Sequence, residues 1–347
     1  MYRVGVIGLG SIAAMYANPQ APFPYCHVGG IRYSDQVELV AVADLSEQAR
    51  ERFRQTWGSA FPDSLKYYDS DQAMLAAEQL DIVAVCVRGP YHFPVTMNVI
   101  AAAGQAGGPR AIFLEKPATC SLQEMDTILA AAQAVGVPIT VSYSRHWAPH
   151  VLRLQELVAE GLVGEVRQVV GYCGHAFLSF ASHTTDLICQ FAGYDPVAVY
   201  ARGRVPEQAV PDGYEPEPAL DSMIIEFPNG VIGTQIGADA SFGGFYAEVL
   251  GTEGGARAGI YIPPAVWDKK GNPIDLEKLN IPENASVFKV AYDQIAQYLD
   301  GGPLPHCTNA QFAAVHEVGF AGIESVLTGQ RITLPNQNRT RKIYANG

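Results

Sequence analysis

The stretch VGVIGLGSIAA, Val4 to Ala14, decides the fold. An apolar, β-branched segment runs directly into Gly8, Gly10 and Ala13, the spacing G-x-G-x-x-A. Glycine lets the chain turn and lets a pyrophosphate approach the backbone, while the small third residue lets the next helix pack closely on the strand. The amino end of that helix then faces the phosphates. Alone the pattern is weak, but here it opens a βαβ unit whose second strand ends on an acid, and that context points to dinucleotide binding. The acid is Asp44, in VELVAVADLS (residues 37–46). A carboxylate there can accept both ribose hydroxyls of an adenosine and repels a 2′-phosphate; Leu45 rather than arginine follows, so NAD is expected over NADP. Asp44 stands farther from Gly10 than the usual ~20 residues. The excess is ANPQAPFPYC (residues 17–26), whose three prolines predict a loop interrupting the first crossover. The other reading of Asp44 is a cap on the helix that follows it.

Outward from this stretch, the first 120 or so residues alternate short β-branched runs with helical patterns, the rhythm of a parallel sheet. Strands are expected at residues 2–7, 38–43, 81–87, 111–114 and 138–142, and their near-continuous apolar character suits a sheet covered on both faces. Ser121 and Glu124 have capping-box spacing before a helix that Gly136 would end. After about residue 150 the texture changes. VRQVVGYCGH, VAVYARGRV, SMIIEFPNGVIGTQIG and AEVLGTEGGARAGIYI read as longer antiparallel strands, with Asn229-Gly230 a two-residue hairpin signal. Helical patterns at residues 182–191, 288–299 and 310–327 are expected to cover one face of that second sheet. The expected fold class is therefore α/β: an N-terminal Rossmann, doubly wound parallel sheet (residues 1–120) and a C-terminal α+β domain with a large, mostly antiparallel open sheet (residues 121–347). Residues 121–145 supply a crossover helix and strand that pack on the first sheet.

Composition excludes whole classes of partner. The 347 residues are 48% hydrophobic and 17% charged, ordinary for a globular enzyme long enough for two cores. Against 23 Lys and Arg stand 35 Asp and Glu, and a net charge of −12 opposes phosphate backbones and anionic lipid. No nucleic acid and no membrane partner is expected. The six cysteines show neither a CxxC pair nor a ligand spacing, which predicts buried thiols and no metal site. The glycines interrupt the apolar amino-terminal run as a signal peptide, and no apolar run reaches ~20 residues, so a cytoplasmic location is expected.

A second stretch carries the chemistry. AIFLEKPATC (residues 111–120) runs a buried strand into Glu115, Lys116 and Pro117. Proline removes a backbone donor and restricts the residue before it, and lysine is costly to desolvate. Either the pair caps a strand in solvent, or Lys116 is held over something.

Taken in order, VGVIGLGSIA, Asp44, DIVAVCVRGPYHFPV (residues 81–95) and above all FLEKP resemble the glucose–fructose oxidoreductase, inositol dehydrogenase and MocA (Gfo/Idh/MocA) family. SYSRHWAP, GLVGEV, SHTTDL and EVLGTEGG also fall in family order, so the resemblance spans nearly the whole chain. It implies a dehydrogenase that moves a hydride between nicotinamide and a hydroxyl or keto carbon of a sugar, cyclitol or sugar derivative. Relatives that oxidise a sugar transiently, to permit glycoside cleavage, epimerisation or elimination, supply an alternative; a dinucleotide sensor without catalysis is a third.

By the same resemblance Lys116 is the catalytic lysine beside nicotinamide and the reacting hydroxyl, Glu115 its acidic neighbour, and the bond to Pro117 is cis. A desolvated ammonium near a cationic ring has a lowered pKa and can exchange a proton at neutral pH. Cofactor contacts are implied for Gly8, Leu9, Gly10, Ser11, Ile12, Asp44, Val87, Arg88, His92, Glu115 and Lys116. Arg88 departs from the family turn and either binds an acidic group or is simply solvated. The family's acid-x-x-x-His element reads Ser179 to His183 here: His183 matches, and Ser179 stands where the acid is usual. His183 is either the general acid/base, with Asp186 one turn on as its orienting carboxylate, or a helix-start residue contacting backbone. Tyr143, Arg145, Tyr172, Ser179 and His183, with Lys116, are the implied substrate contacts, since aromatic faces and polar tips suit a hydroxylated ring. A homodimer or homotetramer is implied, because such open sheets cannot leave an apolar face in water.

Overall fold

The computed structural model describes residues 1–237, 244–283 and 285–345, and the chain divides into two compact units. The first comprises Met1–Thr119, Glu124–Ser142 and Ala285–Asn309. Its six strands are β1 (Tyr2–Ile7), β2 (Val37–Ala43), β3 (Lys66–Tyr68), β4 (Ile82–Val85), β5 (Ala111–Leu114) and β6 (Ile139–Val141). They are parallel and ordered β3-β2-β1-β4-β5-β6. Every residue of β4, β5 and β6 is buried, which is why these segments read as unbroken apolar runs. β3 escapes the sequence pattern: three residues, Lys-Tyr-Tyr, carry no alternation to read. The chain order reverses between β1 and β4, so the carboxyl ends of those two strands border the crevice where an open α/β sheet takes its ligand.

The first crossover departs from a regular βαβ unit. A five-residue π-helical turn, Ser11–Met15, gives way to the proline-rich loop, and a helix resumes only at His27–Tyr33. The helix Val287–Leu299, expected over the second sheet, instead belongs to this first unit and packs on His27–Tyr33. The reason is steric. A Cβ on Gly30 would stand 2.4 Å from the Cβ of Phe288, so only glycine admits so close a crossing, and Phe288, Ala291, Tyr292 and Ile295 are buried in consequence.

The second unit comprises Cys120–Gln123, Tyr143–Asn284 and Ala310–Gly347. Its strands are β7 (Val166–Tyr172), β8 (Ala198–Arg204), β9 (Glu215–Pro216), β10 (Ala219–Glu226), β11 (Ile232–Ile236), β12 (Tyr246–Gly251), β13 (Gly254–Gly259), β14 (Ala265–Asp268), β15 (Ile332–Thr333) and β16 (Ile343–Tyr344). Eight of them form one sheet, β14-β13-β12-β7-β11-β10-β8-β15, antiparallel except where β7 meets β11. β9 and β16 pair separately. The helices Ser182–Ala192 and Ala310–Thr328 cover one face, over Val169, Val199, Ala201, Met223, Ile225, Ala247 and Val249. The other face carries Ile224, Ile232 and Ile236, each more than a third exposed. The β10–β11 hairpin forms where Asn229-Gly230 predicts it, but with a longer loop: Phe227 N donates to Val231 O and Gly230 sits at φ +81°. Pro228 favours the first central position of a type I turn, and Gly230 then takes the left-handed position that closes a three-residue loop.

Candidate active site

In the first unit the fingerprint glycines do different work. Gly8 lies at φ +88°, and a Cβ there would meet the Cys86 carbonyl at 2.7 Å, so it lets the end of β1 approach the end of β4. Gly10 is exposed and a Cβ there would meet nothing within 4 Å, so its face is open to an approaching ligand. Ser11 is exposed, Ile12 half-buried and the Leu9 side chain fully buried. The amides at the start of the turn precede the first intrahelical bond and have no acceptor within the turn. Leu9 N is already committed: it donates to Asp44 Oδ2 at 2.8 Å. Asp44 Oδ1 accepts from Ser46 N at 2.8 Å, but the cap of helix Glu47–Trp57 is Ser46, whose side chain accepts from Ala49 N. Asp44 thus ties the glycine loop to the end of β2, and lone pairs on both oxygens remain for ribose hydroxyls. Arg50, which the sequence pattern did not single out, donates from Nη1 to the Asp44 carbonyl at 2.5 Å.

The loops after β4 and β5 are joined by His92. It is 1% exposed, with Nδ1 2.6 Å from the Pro117 carbonyl and Nε2 2.8 Å from the Val87 carbonyl. Burial pushes its pKa down, against the two carbonyls, which favour the cation. His92 therefore bridges the Lys116–Pro117 segment and Val87, its ring lying between the two carbonyls and, when neutral, donating to one of them at a time. The Lys116–Pro117 bond is cis, as the resemblance implies, and Lys116 is half-buried. Arg88 is exposed at the N-cap of the helix Gly89–Ala103.

Glu115 is 4% exposed. Burial by itself would raise its pKa, but the hydrogen bond from His27, with Lys116 and Ser142 behind it, outweighs burial and holds the carboxyl below the usual range. His27 Nε2 stands 2.9 Å from Glu115 Oε1 and Nδ1 stands 2.9 Å from the Tyr292 hydroxyl. Neither His27 nor Tyr292 is visible as a site residue in sequence. One follows a proline-rich loop, and the other lies 177 positions after Glu115 in an ordinary amphipathic helix.

In the second unit His183 opens the helix Ser182–Ala192, 5% exposed, its ring edge-on to Tyr143 (6.3 Å) and Phe245 (6.1 Å). Tyr143 is 1% exposed. The Arg145 guanidinium, also buried, lies 4.3 Å from the Phe245 ring centre and 5.6 Å from that of Tyr261. Asp186, expected to orient His183, engages other groups: His146 Nδ1 at 2.9 Å and the Tyr194 hydroxyl at 3.2 Å. Its carboxylate therefore fixes the turn Ser144–Trp147. Tyr172 is a further correction. Side chains alternate along β7, and it is Gly171 that faces Thr184 and Ile188 of the His183 helix. Tyr172 points to the opposite face, stacked on Tyr246 at 4.5 Å and within 3.4 Å of Glu248.

Ser179 is where the sequence lacks an acid, and the fold supplies one. Glu217, between β9 and β10 in the stretch YEPEPALD, accepts from Leu178 N, from Ser179 N at 2.8 Å and from Ser179 Oγ at 2.5 Å. No spacing rule connects the two, since 38 positions separate them. The only sequence signal was an acid held between two prolines.

Residues 2–143 match the family model of an oxidoreductase family with an NAD-binding Rossmann fold, GFO_IDH_MocA. Over its first 143 residues the chain is thus similar to the Gfo/Idh/MocA oxidoreductases. Among curated relatives, the scyllo-inositol 2-dehydrogenase (NAD(+)) of Bacillus subtilis is 25% identical over 356 residues, covering 96% of each chain. Among solved structures of the same fold, an aldose-aldose oxidoreductase from Caulobacter crescentus, complexed with glycerol, superposes with a TM-score of 0.74 at 17% identity. It covers 96% of this chain and 99% of that one. The WlbA dehydrogenase from Bordetella pertussis, in complex with NADH and UDP-GlcNAcA, gives 0.71 at 18% identity over 96% and 99%. Each of these three relatives is named as a dehydrogenase or an oxidoreductase. Among its described residues no helix is long and apolar enough to cross a membrane.

Proposed function

We propose that this protein is an NAD-dependent dehydrogenase of the Gfo/Idh/MocA family that oxidises a secondary hydroxyl of a sugar, cyclitol or sugar derivative, and reduces the corresponding ketone in reverse. The observation that carries the reading is the cofactor cradle: Gly10 open on its ligand side, and Asp44 pinned by Leu9 N and Ser46 N with lone pairs to spare for a ribose. Gly8, Leu9, Gly10, Ser11 and Ile12 shape the phosphate turn, Asp44 holds the adenosine ribose, and Val87, Arg88, His92, Glu115 and Lys116 form the nicotinamide end. An anionic Asp44 favours NAD over NADP. Bound NAD supplies the hydride acceptor.

Lys116 is the proposed base of the first unit: a neutral Nζ takes the hydroxyl proton as the carbinol C–H leaves with its electron pair, and the carbon becomes a carbonyl. His183 is the second candidate for that proton, with Tyr143 and Arg145 beside Phe245 and the Glu217-braced Ser179 shaping the substrate side of the second unit. The class of substrate is supported by the names of the relatives, an inositol dehydrogenase and an aldose-aldose oxidoreductase. Recycling of the hydride without net oxidation is the reading that an absent acid at Ser179 invited, and the Glu217 carboxylate removes that motive. We propose further that the protein is a homodimer or homotetramer.

The test is absorbance at the reduced-nicotinamide band with NAD and a panel of inositols, aldoses and sugar acids. Net NADH on any member supports the reading. Tight NAD binding with converted substrate but no NADH would replace it with hydride recycling, and binding with no conversion at all would point to a sensor.

A further inference from the structure

The buried ring of His27 is packed among Phe113, Phe288 and Tyr292, with centroid distances of 4.7, 4.6 and 5.9 Å, and none of its surface reaches solvent. An imidazole in such surroundings has to satisfy both nitrogens from within the protein. Burial pushes the Tyr292 phenol well above its ordinary pKa, so its hydroxyl keeps a proton to donate to Nδ1. Nε2 is then the protonated nitrogen and donates to Glu115 Oε1. The other carboxylate oxygen, Oε2, accepts from Lys116 N at 3.2 Å. A hydrogen-bonded chain thus runs from the helix Val287–Leu299 through the helix His27–Tyr33 to the residue that precedes Lys116, all within the first unit.

We infer that His27 is a positioning residue: with Tyr292 behind it, it fixes the Glu115 carboxylate beside Lys116 and keeps it anionic, and so sets the proton affinity of that lysine. The inference rests on the catalytic role proposed for Lys116 only for its consequence, since the coupling itself is a property of the free protein. The geometry explains why a helix restarts at His27 after the proline-rich loop and why a distant helix packs against it. Together they deliver a donor to a carboxylate that burial would otherwise protonate. Around Glu115 the ionisable groups are His27, Lys116, His92, Cys86 and Tyr292, with the Ser142 hydroxyl accompanying them. Cys86 and Tyr292 are held protonated by burial, and His92 is shifted toward the neutral form. His27 and Lys116 are therefore the groups that set the charge of Glu115 near neutrality.

Without His27 the carboxyl takes up a proton, Lys116 loses a negative neighbour, and its titration midpoint falls. The experiment is 13C NMR of the reductively methylated protein, without cofactor or substrate, with the Lys116 signal assigned by its loss in Lys116→Arg. His27→Phe and Glu115→Gln should each lower the Lys116 midpoint by about 0.5–1 pH unit, and His27→Gln, which keeps a donor at the Nε2 position, should restore most of the shift. A midpoint that falls in Glu115→Gln but is unmoved in folded His27→Phe would overturn the inference. If His27→Phe does not fold, 15N NMR of the wild-type histidines decides: His27 fixed as the Nε2-protonated neutral ring or the fully protonated ring supports it. The opposite tautomer, or an exchanging mixture, contradicts it. Because no turnover is read, failure here leaves the proposed oxidation untouched, and failure of the oxidation leaves this result standing.

Discussion

Asp44 shows how much of a carboxylate's context lies outside the reach of its sequence position. Its place at the end of β2 follows from the strand pattern, but the bonds that aim it do not: Leu9 N holds one oxygen and Ser46 N the other. Arg50, one helical turn into the next element, was invisible because its contact is to the Asp44 main chain rather than to a charge. The expected outcome of Asp44→Ala follows from both. Losing charged hydrogen bonds to ribose costs about 1.5–3 kcal/mol, so the calorimetric Kd for NAD should rise roughly ten- to a hundredfold. The Kd for NADP should hold or improve, with Arg50 near the vacated position. A change in NAD affinity under about threefold would remove Asp44 from the site. Lys116, Glu115 and the fingerprint glycines were legible because each imposes a local cost that a sequence displays; His27, Tyr292 and Glu217 were not, because their value lies only in the partner that tertiary folding brings.

Among the elements, the helix Ser182–Ala192 and the π-helical turn Phe177–Ala181 before it depend on a carboxylate from elsewhere in the chain. Glu217 satisfies two amides and a hydroxyl at the start of that segment, the task a local Asp or Ser performs in an ordinary cap. Glu217→Ala should therefore destabilise the fold by about 1–3 kcal/mol, since buried donors lose their acceptor. It should also raise KM for the substrate more than it lowers kcat, because Ser179 and the approach to His183 lose their brace. Glu217→Gln should recover part of both. Unchanged chemical denaturation and unchanged KM would show that the segment holds without it. The first crossover carries the same lesson in reverse. Its proline-rich loop was readable from composition, but the helix that packs on the interrupted crossover is set by Gly30 against Phe288, a contact no periodicity announces.

At the scale of the whole molecule, the pH dependence follows from buried histidines, and the proposed self-association is tied to one exposed sheet face. Burial holds the His92 and His150 pKa values below the ordinary 6.5, in His150 against a bond to the Gly259 carbonyl at 2.8 Å. The unfolded chain takes protons at these sites as pH drops through about 6.5 while the folded chain declines them. Stability is therefore full above that pH and lost below it, by at most about 1.4 kcal/mol per pH unit per site. The melting temperature should fall from pH 7.5 to 5.5, and less steeply in His150→Gln; parallel curves would contradict this. On the open face, Ile224, Ile232 and Ile236 lie together, because register sets Ile224 opposite Thr234, Ser222 opposite Ile236 and Glu226 opposite Ile232. An apolar row flanked by Tyr172, Tyr246 and the Arg257–Glu248 pair suits a second copy of the same surface. Ile224→Arg with Ile236→Arg should bring the light-scattering mass down toward that of a single chain, whereas an unchanged mass would place association elsewhere. The two sheets were legible from strands such as β4, an unbroken apolar run, and β10, which alternates. The face each strand presents to solvent needed the register.

The most direct test of the account is single-turnover hydride transfer by Lys116→Ala, with NAD and the best substrate of the panel, followed at the reduced-nicotinamide band. With Lys116 as the base, the rate constant should be lower by about 10² to 10⁴, with the Kd for NAD within a few-fold of wild type, because the lysine moves a proton rather than holding the cofactor. A variant that transfers hydride at the wild-type rate would show that the lysine at the end of β5 is not the base.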